Sequence, residues 1–241
     1  LVLRRQRQMC IRDRHKTLFT DVDGRFPNHH PNPVDPDTLK FLNEQVHSAG
    51  AECGIGFDGD GDRIGVIDKT GRQVSGDLLT AFLSLDILDR HKGAEILFDV
   101  KSSSTALDIV RQAGGKPHLW RTGHSHMKKR LKELGAPLAG EMSGHIFIAD
   151  DFYGFDDALY VACRFLSRLT HMKQKGNESL TDFLDRLPPS FTTPECHIHC
   201  PDNEKFTAVE RLSQQIGAEM PAEQMNLIDG VRLTTASGWC L

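Results

Sequence analysis

No apolar stretch in this sequence approaches the roughly 20 residues a helix needs to cross a bilayer, so a helical membrane span is excluded. Surplus positive charge is missing too. The chain holds 29 Lys and Arg against 33 Asp and Glu, a net charge of -4, and the mild acidity extends over most of its length. That excludes the basic footprint of a nucleic-acid binder. Cysteine is sparse: Cys10, Cys53, Cys163, Cys196, Cys200 and Cys240 form no CxxC pair, a usage that suits a reducing cytoplasm better than a disulfide framework. Internal repeats and low-complexity tracts are absent. What is present is an ordinary globular composition, 39% hydrophobic and 26% charged over 241 residues. This is enough chain to bury a real core in one large domain or two of typical size. Composition says nothing of oligomeric state.

Residues 1–14 stand apart. Arg4, Arg5, Arg7, Arg12 and Arg14 face one acid, Asp13, so this stretch holds +4 and the remainder -8. It has neither helical nor strand period and no apolar h-region, and reads as an extraneous basic leader outside the fold. The body alternates strands with helices. Asp35-Pro36 supplies an N-cap and a proline at N1, and Leu39, Leu42, Val46 and Ala49 recur at helical spacing until Gly50. Cys53 to Phe57 and Ile64 to Ile67 read as two strands joined by a tight loop, followed by a turn at Lys69-Thr70-Gly71. Further on, helices are predicted over 78–88, 105–113, 126–134 and 158–169, and strands over 96–100, 117–120 and 145–149. Strands separated by helices of this length predict βαβ units, hence an α/β fold with a mixed, mostly parallel sheet covered by helices on both faces. Pro188-Pro189 reads as a linker between domains, followed by a strand at Glu195 to His199, a helix near 204–216 and a last apolar segment around 228–233.

The strongest chemical signal is Asp58-Gly59-Asp60-Gly61-Asp62-Arg63. Three carboxylates at i, i+2 and i+4 sit in a glycine-rich loop that can curl until alternate side chains converge. Such carboxylates repel unless a cation compensates them, and an oxygen-only set with few protein ligands favours Mg²⁺. Arg63 adjoins the metal, placed for bidentate phosphate binding. An EF-hand starting at Asp58 is excluded, since its sixth and twelfth positions are Arg63 and Lys69 rather than Gly and Glu. A phosphatase with Asp58 as nucleophile stays open as a rival. A second signal is Gly140-Glu141-Met142-Ser143-Gly144-His145, whose side chains suit sugar hydroxyls or a phosphate. A third is Trp120-Arg121-Thr122-Gly123-His124-Ser125, a strand-to-helix turn whose first N–H groups suit an anion. Lys101 follows a strand, where open α/β sheets place functional groups.

Together these motifs, with Asp21-Val22-Asp23-Gly24-Arg25-Phe26-Pro27-Asn28-His29-His30-Pro31, resemble the α-D-phosphohexomutase family, and most closely its bacterial phosphomannomutase/phosphoglucomutase members. The resemblance runs from about His15 to Leu241. It implies a four-domain enzyme, of which this chain holds the later part of domain two (15–74), domain three (75–186) and the start of an α+β domain four (187–241), with the phosphoserine segment of domain one absent. The implied activity interconverts hexose 1-phosphate and hexose 6-phosphate through a phosphoserine and a bisphosphorylated sugar. In that reading Asp58, Asp60 and Asp62 bind Mg²⁺ and Arg63 offsets charge on the moving phosphoryl group. Lys101 and His145 are candidates for proton transfer with His124 near them, and Gly123, Glu141, Ser143 and His145 contact the sugar phosphate. Met142 leans toward the manno/gluco type. The chain alone is expected to bind hexose phosphate without isomerising it, because no serine in it lies in the family's nucleophile segment; Ser143, the nearest hydroxyl candidate, is assigned to the sugar and has no adjacent base of the kind a nucleophile requires.

A non-catalytic sugar-phosphate-binding module would use the same loops and is the other alternative. Other candidates read blandly. Cys196-His197-Ile198-His199-Cys200 resembles a metal cluster, but in a strand Cys196, Ile198 and Cys200 would share a buried face. His29-His30 reads as structural or solvent-facing, and the Leu/Phe stripe of 78–88 as core packing.

Overall fold

The computed structural model describes residues 15–193, 196 and 198–241. The basic leader 1–14 lies outside the described residues. The Asp35 carboxylate accepts the Asp37 N–H at 3.0 Å and opens a 3₁₀ turn, Pro36–Leu39, that runs into α1, Lys40–Ala49. Gly50, at φ 58°, ends that helix in the left-handed conformation. Strands β1 (Cys53–Phe57) and β2 (Ile64–Asp68) pair antiparallel, with Phe57 opposite Ile64, and the short β3 (Gln73–Val74) extends the sheet beside β2. The six residues from Asp58 to Arg63 are thus the tip of a hairpin. Strand β2 is buried at every position because both its faces are covered. Ile67 packs on Leu39 and Val46, while Ile64 and Val66 join the main core.

That core belongs to a four-stranded sheet, ordered β5-β4-β6-β7. In chain order come α2 (Gly76–Arg90), β4 (Glu95–Asp99), α3 (Ser104–Gln112), β5 (Lys116–Trp120), α4 (His124–Leu134), β6 (Leu138–Gly140), β7 (Ile146–Ile148), α5 (Ala158–Gly176) and α6 (Leu180–Asp185). The side chains alternate as a strand requires. Ile96, Phe98, Leu138, Ile146 and Ile148 face α2, α3 and α5, while Leu97, Ala139 and Phe147 face Met127 and Leu131 of α4. The result is three layers, helices on both sides of a sheet, as the alternation predicts. Among the described residues, parallel pairing is confined to β4-β5 and β4-β6; β7 runs antiparallel, as do both smaller sheets. The stripe of α2 is core packing, with Leu79, Phe82, Leu83, Ile87 and Leu88 all buried. Two elements escape the periodicity, β6 and α6, each too short to display a repeat.

Beyond Pro188-Pro189 lie α7 (Lys205–Glu219) and a sheet of β8 (Met225–Asn226), β9 (Arg232–Thr235) and β10 (Gly238–Cys240). The expected strand at Glu195 to His199 fails where it is described: Cys196, Ile198 and His199 are in no strand, and Glu195 and His197 lie outside the described residues. The buried face expected for it fails as well, because Cys196 is exposed, Ile198 is 89% exposed and Cys200 is half-buried. Local alternation alone cannot make a strand without a neighbour to pair with. His29 does serve structure, its ring lying 5.5 Å from that of Phe19 and 6.5 Å from that of Phe41.

Candidate functional site

The hairpin tip is built around Asp58, whose side chain is only 1% exposed. One carboxylate oxygen, Oδ1, accepts the backbone N–H groups of Gly61, Asp62 and Arg63 at 3.0, 3.1 and 3.1 Å. The other, Oδ2, accepts Arg63 Nε at 2.8 Å. Burial opposes ionisation of Asp58, but the bonds from the Arg63 side chain and backbone outweigh it and hold the carboxyl below its ordinary range. Gly61, at φ 76°, makes the reversal that brings these amides round. Asp58, Asp60 and Asp62 offer carboxylate oxygens within 4.8 Å of one another. Asp62 is pushed the other way, upward, by burial and by its hydrogen bond and charge contact with Asp58 and Asp60. An all-oxygen set of three carboxylates, only one of which is paired with Arg63, suits a hard divalent cation, so the residues present fit Mg²⁺. Arg63 is an anchored arm, with Nε on Asp58 and Nη1 3.4 Å from Asn32 Oδ1.

The second loop joins β6 to β7. Glu141 is buried at 2% exposure, its Oε1 accepting the Gly123 N–H at 2.7 Å and its Oε2 lying 3.1 Å from both Ser143 Oγ and His145 Nδ1. Ser143 Oγ is 2.8 Å from His145 Nδ1. A histidine therefore does lie beside Ser143, since residues two apart in this loop fold onto each other. The neighbourhood still does not activate the hydroxyl. Burial works against a charged His145, yet the carboxylates of Glu141, Asp62 and Asp156 raise its pKa above the ordinary value. Burial likewise opposes ionisation of Glu141, and the bonds from His145 and Gly123 lower its pKa nevertheless. The Ser143 hydroxyl donates to the Glu141 carboxylate, which holds the serine as a donor.

The two loops meet. The Ile64 N–H donates to the Gly144 carbonyl at 3.1 Å, Arg63 and His145 form a β-bridge, and His145 Nε2 lies 3.5 Å from Asp62 Oδ2. Gly144 is required here: φ is 91°, and a Cβ would sit 2.6 Å from the Ile64 carbonyl oxygen. The Ala158 N–H, at the start of α5, donates to the Gly61 carbonyl at 3.0 Å and braces the hairpin tip from the other side.

The turn before α4 receives anions, as its sequence suggests, but they are the protein's own. Gly123 gives its N–H to Glu141, and Thr122 gives its N–H to Asp229 Oδ2 at 3.0 Å. His124 is brought beside His145, ring centroids 6.0 Å apart. Lys101 stands in the turn after β4. Asp99 links that turn to the β6–β7 loop, accepting a hydrogen bond from Ser102 Oγ at 2.7 Å and from the Met142 N–H at 3.3 Å. Burial raises the Asp99 carboxyl to about 6, with the charges of Glu141 and Asp77 adding to the shift.

Sequence reasoning passed over Asp156. Its side chain is 10% exposed, lies 3.0 Å from Lys128 Nζ and 3.9 Å from His124 Nδ1, and groups with Asp62 and His145 within 4.8 Å. The only local cue is the pair Asp156-Asp157 ahead of a helix, and Asp157 is the residue that caps it, accepting the Tyr160 N–H at 2.9 Å. Asp99, Asp229 and Arg232 carried no signal at all.

These loops match known proteins. The family model for phosphoglucomutase/phosphomannomutase alpha/beta/alpha domain II matches residues 8–71, and that for domain III matches residues 75–191. A phosphomannomutase/phosphoglucomutase of Pseudomonas putida is 44% identical over 224 residues, 93% of this chain and 47% of that protein. A phosphoglucomutase of Neisseria gonorrhoeae is 38% identical over 225 residues, 93% of this chain and 48% of that protein. The crystal structure of a phosphoglucomutase/phosphomannomutase family protein from Burkholderia thailandensis superposes with a TM-score of 0.80 at 38% identity, covering 92% of this chain and 46% of that one. The chain thus spans about half the length of the curated relatives it matches. With two successive domains of one family matched along the chain, and with the hairpin tip and the β6–β7 loop meeting at their junction, the chain belongs to the phosphoglucomutase/phosphomannomutase family.

Proposed function

We propose that this chain carries the metal loop and the sugar-recognition loop of a cytoplasmic mutase that interconverts the 1- and 6-phosphates of mannose and glucose. The observation behind this reading is the contact between the two loops, with His145 Nε2 3.5 Å from Asp62 Oδ2 and the Ile64 N–H on the Gly144 carbonyl. Residues 15–74 contribute the metal loop, 75–186 the sugar loop, and 187–241 the beginning of a further domain. Asp58, Asp60 and Asp62 hold Mg²⁺, which when bound offsets negative charge on a phosphoryl group. Arg63 adds positive charge at the same place. Glu141 and Ser143, already ordered by each other and by Gly123, orient the sugar hydroxyls, and Lys101 and His145 move the proton at the reacting hydroxyl, with His124 beside His145.

The phosphoryl group passes from a phosphoserine to the free sugar hydroxyl, and the sugar's other phosphate then returns to the serine. The metal loop and the sugar loop supply no such serine, and in this reading the chain alone binds hexose phosphate without isomerising it. The phosphatase alternative needs Asp58 to attack phosphorus. Its burial and its three backbone bonds on Oδ1 speak against that.

Calorimetry with Mg²⁺ and glucose 1-phosphate, followed by a coupled dehydrogenase assay, tests the reading. Binding of both, weaker Mg²⁺ affinity in Asp60→Asn, and turnover only when the missing upstream domain is supplied are the expected results. Steady phosphate release by the chain alone would support the phosphatase. Binding that never yields turnover, even with the upstream domain, would support the non-catalytic module.

A further inference from the structure

Among the described residues of 187–241, Arg232 alone is buried, at 2% exposure. Its Nη1 donates to the carbonyls of Val100 and Ser102, the two that flank Lys101, and its guanidinium lies 4.0 Å from the Trp239 ring centroid. Three residues earlier, Asp229 Oδ2 accepts the Thr122 N–H at 3.0 Å, and the Ile228 carbonyl accepts Arg121 Nε at 2.8 Å. One short stretch, Ile228 to Arg232, therefore grips the turns that follow both β4 and β5. Burying a guanidinium is costly unless its bonds compensate. Here Nη1 satisfies two carbonyls of a turn that the sheet cannot satisfy; burial still pulls the guanidinium below its ordinary pKa, and the nearby charges of Asp99 and Asp77 oppose that only in part.

We infer that Arg232 and Asp229 are positioning residues, a clasp that fixes the turns bearing Lys101 and Gly123-His124 against the Glu141–His145 loop. The path is continuous: Arg232 holds Val100 and Ser102, Ser102 donates to Asp99, and Asp99 accepts the Met142 N–H inside the sugar loop. What the two turns do in catalysis rests on the mutase reading; the clasp itself does not.

Amide exchange on the whole chain tests it. Arg232→Met keeps an unbranched apolar stem over Trp239 and removes the donors. It should speed exchange at Ser102 and Met142 by about tenfold or more, the size expected for losing a hydrogen bond to a charged group. Leu97 and Phe98 in β4 should be unchanged. Arg232→Lys keeps the charge without the planar fork and should give a smaller rise at the same two amides; it answers the question if the methionine variant does not fold. Asp229→Ala should release Thr122 alone. The acetylation rate of Lys101 relative to Lys116 should change in both Arg232 variants, which a merely structural anchor would not cause. Unchanged exchange at Ser102 and Met142, an equal rise throughout β4, or an unchanged lysine ratio overturns the clasp. Failure of the unaltered chain to bind glucose 1-phosphate would instead count against the mutase reading, leaving the clasp measurable.

Discussion

The region from Gly76 to Asp185 and the region beyond Pro189 hold themselves in place by different means. In the first, two apolar clusters sandwich a sheet, and Phe82, Phe98, Phe147 and Phe165 are fully buried. In the second, α7 has no buried residue, Phe206 is 78% exposed and Leu212 53% exposed, and the deep contact is the guanidinium of Arg232. Apolar burial is non-directional and scales with area, so it stabilises a layer without fixing its fine register. A guanidinium bound to two carbonyls contributes less area but fixes position. The loops of the candidate site are thus supported by apolar packing and tied in place by polar contacts.

Three substitutions sharpen that contrast. Phe98→Ala opens a cavity in the sheet's core and should cost roughly 3–5 kcal/mol in urea unfolding; a loss as small as that of a surface change would remove the distinction between the regions.

Asp99→Asn probes the polar support. In the folded chain the Asp99 carboxyl is raised to about 6, above its ordinary carboxylate value, mainly by burial. Between about pH 4 and pH 6 the folded protein keeps a proton that the unfolded chain releases, so this group makes stability fall as pH rises across that window, and then level off. A shift of that order corresponds to at most ~3 kcal/mol. The asparagine variant should lose this fall, and an identical stability-pH curve for both proteins would show that Asp99 does not titrate in the fold as inferred. The smallest effect is expected for Leu212→Ala on α7, within about 0.5 kcal/mol. A change in melting temperature comparable to that of Phe98→Ala would show that α7 is packed after all.

Much of the site was legible because its chemistry is local. Asp58, Asp60 and Asp62 lie within five residues, as do Glu141, Ser143 and His145, and glycines at 59, 61, 140 and 144 mark both stretches as loops. The strand expected over 195–199 is absent at Cys196, Ile198 and His199, the residues of it that are described, for the opposite reason: five residues of alternating character carry no information about a partner strand. Short β6 and α6 were invisible because they span less than two periods of any pattern.

The sequence by itself determined the α/β alternation, the hairpin with its acidic tip, the glycine-flanked loop of Glu141 to His145 and the family resemblance, because each depends on spacing within one turn or one strand. Tertiary structure alone decided that the Thr122 amide is occupied by Asp229, that Asp156 stands with Asp62 and His145, and that Arg232 reaches carbonyls 130 and 132 residues away. Nothing in a local pattern encodes such contacts. They arise when helices packed on both faces of the β5-β4-β6-β7 sheet bring the ends of its strands to one edge, and the loops there are drawn together by the charges and unsatisfied backbone groups they carry.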